Sequence, residues 1–262
     1  NVKVYDGIRK LIENLKQKDI KIAVLSNKPH ERTIDVVKCF FGEDTFEQAE
    51  SKLQQLAVET AIRKSAVNFA DVDCIFAGDL LNQCIGSSFT LRNTGIPHIG
   101  LYGACSTMAE SLLLASMAVG GGFFDNVVAM TSSHFASSER QYRFPLGYGG
   151  QRTPTAQWTV TGSGALVLKN NVPDSPRVNA VIFGKIRDLG ITDTNNMGAA
   201  MAPAASLLIS EFLNETHTTP DDFDLILTGD LGIYGKEIVR DYLKDLGWLF
   251  LVLYCALWLV LC

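Results

Sequence analysis

Apolar and polar positions along the chain alternate in two rhythms, and these divide it into helices and short buried strands. Over residues 5–18, "YDGIRKLIENLKQK", Ile8, Leu11, Ile12 and Leu15 fall on one helical face. The next run, "DIKIAVLSN", is short and mostly apolar, the pattern of a strand covered on both faces. Pro29 then opens a second helix, "PHERTIDVVKCFFG", in whose first turn a proline is tolerated. A helix at about 47–65 leads through "NFADVD" to the strand "CIFAGDLL". From residue 96 the pattern predicts a strand (96–102), a helix (106–118) and a strand (126–132), with "GGG" linking the last two. The helix carries Leu112, Leu113, Leu114, Met117 and Val119 around most of its circumference, which predicts packing on several sides. Residues 133–156 read as a long polar loop of the kind that covers a site. "WTVTGSGALVLKN" reads as a bent strand pair with glycines at the bend, and "RVNAVIFGKIRDL" as a further strand.

One internal repeat stands out. "FADVDCIFAGDLL" at 69–81 returns as "PDDFDLILTGDLG" at 220–232, and an apolar helical run precedes each copy, at 53–63 and 203–213. Either two helix-to-strand units are alike by chance, or the fold is duplicated and each half carries this unit. The pattern as a whole predicts an α/β domain with a mostly parallel central sheet holding strands near 73–78, 97–102, 126–132 and 223–228.

Composition narrows the function. The 262 residues are 47% apolar with a formal charge of −5, and no basic stripe is present, which argues against nucleic acid as a partner. The six cysteines, at 39, 74, 84, 105, 255 and 262, form no CxxC pair and no regular spacing. That pattern argues against a zinc site and a disulfide framework, and for a reducing, intracellular setting. The histidines at 30, 98, 134 and 217 form no ligand motif, so no metal and no cofactor are expected. The chain starts in mid-pattern at Asn1, and no signal peptide is expected. It ends in "WLFLVLYCALWLVLC", fifteen uncharged residues. As a helix they would rise about 22 Å against the ~30 Å of a bilayer core, a marginal span. Self-association of this tail is the expectation.

Cys105 is the residue with the most chemistry. It sits between a predicted strand and a predicted helix, among the small residues Gly103, Ala104 and Ser106. A helix N-terminus would favour its thiolate and lower the thiol pKa. A buried structural thiol is the competing reading. A nucleophile needs a base, and His134, after the next strand, is the candidate in the pattern. Arg140 and Arg143 in the polar loop could hold a carboxylate through bidentate bonds, or could simply be solvated. "GSGA" at 162–165 lacks the context of a phosphate-binding loop and reads as a strand bend. Asp79 and Asp230 end the two repeated strands and read as caps of the segments that follow. Ser26 and Lys28 in "VLSNKP" follow a buried strand, where a hydroxyl could hold a phosphate. No DxD ends a strand to supply an aspartyl nucleophile, because "DVD" at 71–73 precedes its strand.

Two resemblances can be attached to these motifs. Residues 2–46, "VYDGIRKLIENLKQKDIKIAVLSNKPHE…FFG", resemble the phosphoglycolate phosphatase branch of the haloacid dehalogenase superfamily. The resemblance makes Ser26, with Lys28, a phosphate-binding remnant in a helix-strand-helix fragment over 1–46 that lacks the nucleophile and metal motifs. Residues 47–247 resemble the stage V sporulation protein AD family, through "AGDLLNQ", "GACST", "GGF", "TSSH", "ERQYRFP…YGGQ", "TVTGSGA", "DLGITD", "MGAAMAPAA" and "DDFDLILTGDL". That resemblance implies a thiolase-like fold of two similar halves, here a first half plus a truncated second one. It implies a spore-formation protein that binds dipicolinic acid, free or as its calcium chelate, and supports its uptake. The pocket would be built from Cys105, Ser106, Ser133, His134, Arg140, Arg143 and Gly162. Further implied are other stage V sporulation proteins as partners, a homodimer joined beside the nucleophile strand, and the developing spore, cytoplasmic or at its inner membrane, as location. Cys105 stands where thiolases carry their acylated cysteine, so a thiolase-like acyltransferase is the alternative, with a phosphatase-like hydrolase behind it. Thiolases draw the cysteine's partner residues largely from the second half. The resemblance stops at "DLG", so 248–262 is expected to be foreign to the family and the chain to be chimeric.

Overall fold

Five consecutive buried residues, Cys74–Gly78, form strand β1. A strand buried on both faces needs cover on both, and the neighbouring elements supply it. The computed structural model describes residues 49–81, 84–134, 159–193, 195–248 and 253–255, with positions 10, 13, 14 and 17. Those four isolated positions are helical and exposed, and they are the polar face of the helix predicted over 5–18. The remainder of the expected helix-strand-helix piece, with Ser26 and Lys28, lies outside the described residues, as do Arg140 and Arg143.

The order is α1 (Ala49–Ser65), β1, α2 (Ile85–Leu91), β2 (His98–Leu101), α3 (Thr107–Gly120), β3 (Asn126–Ser133) and β4 (Gly162–Lys169). Then follow α4 (Met197–Thr216), β5 (Ile226–Thr228), α5 (Gly232–Asp245) and β6 (Leu253–Cys255). β2, β1 and β3 are parallel neighbours in that order, and β4 closes the sheet antiparallel to β3. The two-residue period of the strands sorts the core. Ile75, Ala77, Val128 and Met130 meet Val58 and Ile62 of α1 on one face. Cys74, Phe76, Val127 and Ala129 meet Ala115 and Val119 of α3 on the other.

Four expectations change. Residues 226–228 do not join the main sheet. They pair in parallel with 253–255 in a second sheet, as a repeat that begins its own half would. "WTVTGSGALVLKN" contributes one strand, β4, in which Gly162 and Gly164 stand opposite Ser133 and Thr131 rather than at a bend. The apolar run at 177–189 belongs to no sheet among the described residues, and Val181, Phe183 and Ile186 are exposed. Helix α3 is buried along one stripe only, Thr107, Ser111, Ala115 and Val119. Small residues let it lie close on the sheet, while Leu112, Leu113 and Leu114 are half-buried and Met117 is exposed.

The repeat is real in three dimensions. Each copy runs from a long helix through a 3-10 turn, Phe69–Asp71 or Pro220–Asp222, into a strand and an aspartate turn. Asp79 accepts the Leu81 N–H at 2.9 Å and Asp230 accepts the Gly232 N–H at 3.0 Å. In the second copy α4 continues through Pro203, and α4 and α5 cross at Gly198 and Gly235. A Cβ at Gly235 would stand 2.8 Å from Gly198 Cα. The first part of the apolar tail is used here. Trp248 packs on the α4–α5 core and donates its indole N–H to Ser210 Oγ at 3.1 Å. Among the described residues no helix is long and apolar enough to cross a membrane.

Two stability predictions follow from these contacts. A Cβ at Gly78 would collide with Thr107 Cγ2 and the Leu101 carbonyl. Gly78→Ala and Gly235→Ala should therefore each destabilise the chain, at the upper end of the about 1–3 kcal/mol that overpacking costs. Denaturant melts read this, and an unchanged midpoint would contradict the close approach. Gln54, fully buried, donates to Ser132 Oγ at 2.7 Å and Ser87 Oγ at 3.1 Å, and accepts from Thr90 Oγ1 at 2.7 Å. Gln54→Ala should cost about 3 kcal/mol by stranding these groups. Combined with Ser132→Ala the loss should fall short of additive, because the two share one bond.

Candidate functional site

Parallel strands end together, and in α/β sheets the crevice beyond their carboxyl ends is where ligands bind. Asp79 follows β1, the Cys105 turn follows β2, and His134 follows β3. Leaving β2, the chain enters a 3-10 turn, Ala104–Ser106, that runs straight into α3. Ala104 holds φ at +48°, a left-handed conformation that a residue with a Cβ adopts at a cost. The turn is laced to compensate. Ser106 N–H and Oγ both donate to the Gly103 carbonyl, at 2.9 and 2.7 Å. Thr107 Oγ1 donates to the Ala104 carbonyl at 2.9 Å and accepts the Gly103 N–H at 3.2 Å. The same buried threonine presses on Gly78, so the elbow is seated on the central strand.

Held in this way, Cys105 is exposed. It is a free thiol, as are the buried Cys74 and Cys84. Its pKa is pushed up, not down as the helix N-terminus suggested. Desolvation by the crowded turn is the larger cause and the Asp230 carboxylate the second, against a smaller opposing effect from the Cys105 backbone N–H. The residue nonetheless keeps solvent contact. Burial also pushes up Cys74 and Cys84, and the Cys84 thiol donates to the Leu101 carbonyl at 2.9 Å.

The other predicted residues take different places. Ser133 is buried at the end of β3, paired in register with Gly162, and spends its hydroxyl on the Val160 carbonyl at 2.5 Å. A Cβ at Gly162 would meet nothing, so that edge is open. His134 is half-buried, and burial holds its imidazole below the usual range, neutral at neutral pH. β1 separates β2 from β3, so the strands leading to Cys105 and His134 stand about 10 Å apart, two strand spacings.

Two carboxylates at the turn were missed by the sequence as site residues. Asp230 was read as a cap, and it is one, but it also carries its charge to Cys105 from the second half. Glu110, in the first turn of α3, keeps one carboxylate oxygen, Oε2, shielded from solvent with no hydrogen-bond partner. A Cβ at Gly103 would lie 2.5 Å from it. The repeat held the signal for Asp230, because its position matches Asp79. Nothing local marked Glu110. Among the described residues no three His, Cys, Asp or Glu side chains group to hold a metal.

Comparison with known proteins agrees with this architecture. The 3-oxoacyl-[acyl-carrier-protein] synthase III of Aquifex aeolicus VF5 superposes with a TM-score of 0.56 at 12% identity, over 76% of this chain and 67% of that one. An OleA variant from Xanthomonas campestris, solved with cerulenin, gives a TM-score of 0.58 at 12% identity, over 79% of this chain and 65% of that one. At such identities the likeness shows the fold, which is thiolase-like. In sequence, the chain is 43% identical over 233 residues to Stage V sporulation protein AD of Bacillus subtilis (strain 168), covering 89% of this chain and 67% of that protein. The phosphatase-like resemblance of residues 2–46 finds no support in these comparisons. Residues 27–254 match the Stage V sporulation protein AD (SpoVAD) family, a span that takes in part of the expected phosphatase-like piece and the start of the apolar tail. The chain belongs to that family of sporulation proteins.

Proposed function

We propose that the chain is a binding protein for dipicolinic acid, serving its uptake into the developing spore, with the Cys105 turn as the floor of the pocket. The observation that carries binding over catalysis is the state of Cys105. Among the described residues its thiol meets no base, and it is pushed toward the protonated form, the reverse of an activated nucleophile. Asp230 and the orphaned Glu110 oxygen bracket the turn with negative charge. Such a site opposes a bare dianion and favours one whose charge a calcium ion neutralises, so the ligand is the calcium chelate. Arg140, Arg143, Ser106, Ser133, His134 and Gly162 complete the candidate pocket. A second copy adding to the exposed edge of β2, where Ile99 is 44% exposed, would account for a homodimer, and other stage V sporulation proteins remain the expected partners.

One feature favours a second reading. A cysteine on a strained elbow, in a fold shared with the synthase III enzymes, suits a thiolase-like acyltransferase.

Titration calorimetry of the full chain decides the ligand. Dipicolinate with equimolar calcium should bind more tightly than dipicolinate alone, and Asp230→Asn should narrow the gap. If neither form binds, the proposal fails. Alkylation by iodoacetamide reports on the thiol. Cys105 should react at neutral pH more slowly than an unperturbed cysteine, with its rate midpoint displaced to higher pH. Asp230→Asn should speed it roughly threefold at pH 7 by removing the charge that opposes the thiolate. A stable acyl adduct on Cys105 after incubation with acetyl-CoA, absent in Cys105→Ala, would instead establish the acyltransferase.

A further inference from the structure

On the face of the main sheet opposite α3, a half-open groove of about 770 Å³ runs between α1, the 3-10 turn at Phe69–Asp71 and the end of α2. This volume lies in the range of small-molecule sites. The floor is apolar and tightly packed, with Val58 and Leu91 only 3% and 4% exposed. Phe69 and Phe89 supply aromatic walls. Two cations line the groove, Lys52 in the first turns of α1 and Arg92 just after α2. One carboxylate, Glu59, also lines the groove, where it accepts from Gln55 at 2.7 Å and Gln55 accepts from Lys52 at 3.2 Å, so the two cations outnumber the one anion. Arg92 is different. Its guanidinium rests over the Phe89 ring, 5.7 Å from the centroid, and makes no ion pair or hydrogen bond with any described residue.

We propose that this groove is a second binding site, separate from the Cys105 turn, for a small aromatic monocarboxylate. The aromatic body lies on Val58 and Leu91 between the two phenylalanines, and the carboxylate takes the donor fork of Arg92. The cation–π contact with Phe89 restrains the Arg92 side chain in advance, which reduces the ordering cost of a bond to the carboxylate. Lys52 and the positive end of α1, whose first turns line the groove, add to the field on the same anion. The groove sits on the opposite side of the sheet from α3, so a ligand there leaves the Cys105 elbow untouched.

The test uses the full chain, 3-phenylpropionate and its neutral amide, with methyl and aromatic NMR as the readout. The carboxylate should shift resonances of Val58, Leu91, Phe69 and Phe89 at millimolar concentration, and the amide should shift them far less. Arg92→Ala should weaken the carboxylate by roughly fivefold or more, Arg92→Lys by less, and Lys52→Ala by an intermediate amount. Arg92 is exposed, so these variants should melt as the parent does. Cys105→Ala should leave the binding unchanged. Equal shifts from the amide, no shifts from either compound, an Arg92→Ala variant that binds as the parent, or a loss on Cys105→Ala would each overturn the site.

Discussion

A carboxylate placed where water does not reach has to be satisfied from within, and the first half of this fold is arranged around one. Asp79 is 1% exposed at the end of the central strand. It accepts from the backbone of Leu81 at 2.9 Å, and from the backbone and hydroxyl of Ser87 at 2.7 Å each. Losing any of these bonds would strand a buried charge, so the turn after β1 and the start of α2 are fixed together. Ser87 passes the constraint to Gln54, which hands it to Ser132 on β3 and Thr90 on α2. Gly86 belongs to the same design, since a Cβ there would lie 3.1 Å from the Asp79 carboxyl carbon. The carboxyl edge of the sheet is thereby rigid at β1 and β3. Against that edge, Thr107 on Gly78 seats the cysteine elbow.

The second copy of the unit keeps the turn and drops the rest. Asp230 caps Gly232 as Asp79 caps Leu81, but it is only half-buried and does not enter a serine network. Its remaining charge acts across to Cys105. Duplication thus yields two aspartates with one local geometry and two uses, one locking a strand end and one setting the electrostatics of the elbow on the other half. Each carboxylate also pushes up a nearby thiol, Asp79 that of Cys84 and Asp230 that of Cys105, so the halves differ in which cysteine the charge reaches and not in whether it is felt.

What could be read from the sequence follows the range of each interaction. The strands at 74–78, 98–101 and 126–133 lie within a residue or two of their expected bounds; β1 and most of β3 are buried on both faces and read as apolar runs, whereas β2 is an exposed edge strand. The Cys105 turn was legible because its need for small neighbours is local. Sheet membership was not, since pairing joins residues far apart. Nothing in "LILT" says that it pairs with 253–255 instead of with β1, and nothing in "RVNAVIFGKIRDL" says that it joins no sheet among the described residues. Helix α3 misled for another reason. Large apolar residues drew attention to its leucines, yet close approach to the sheet selected Ser111 and Ala115, residues whose value is their size. Asp230 acts through space on a turn formed far away in sequence, and the isolation of the Glu110 oxygen depends on how that turn packs, so only the folded chain could reveal them.

The apolar tail shows how far context decides what a hydrophobic run means. Fifteen uncharged residues suggest a membrane or an aggregate when taken alone. In the fold, Trp248 has a core to fill and a serine to bond, and 253–255 has a parallel partner in β5. A strand meant for the interior of a parallel sheet carries the same composition as a short membrane segment, because both must shed water on every side. The distinction lies in the backbone. In a sheet, the peptide groups of such a run are satisfied by a neighbour, here Ile226–Thr228, and that neighbour is the strand that leads directly into the Asp230 turn. The tail therefore supports the strand on which the second carboxylate of the site depends, and the electrostatics at Cys105 rest on pairing that begins beyond residue 250.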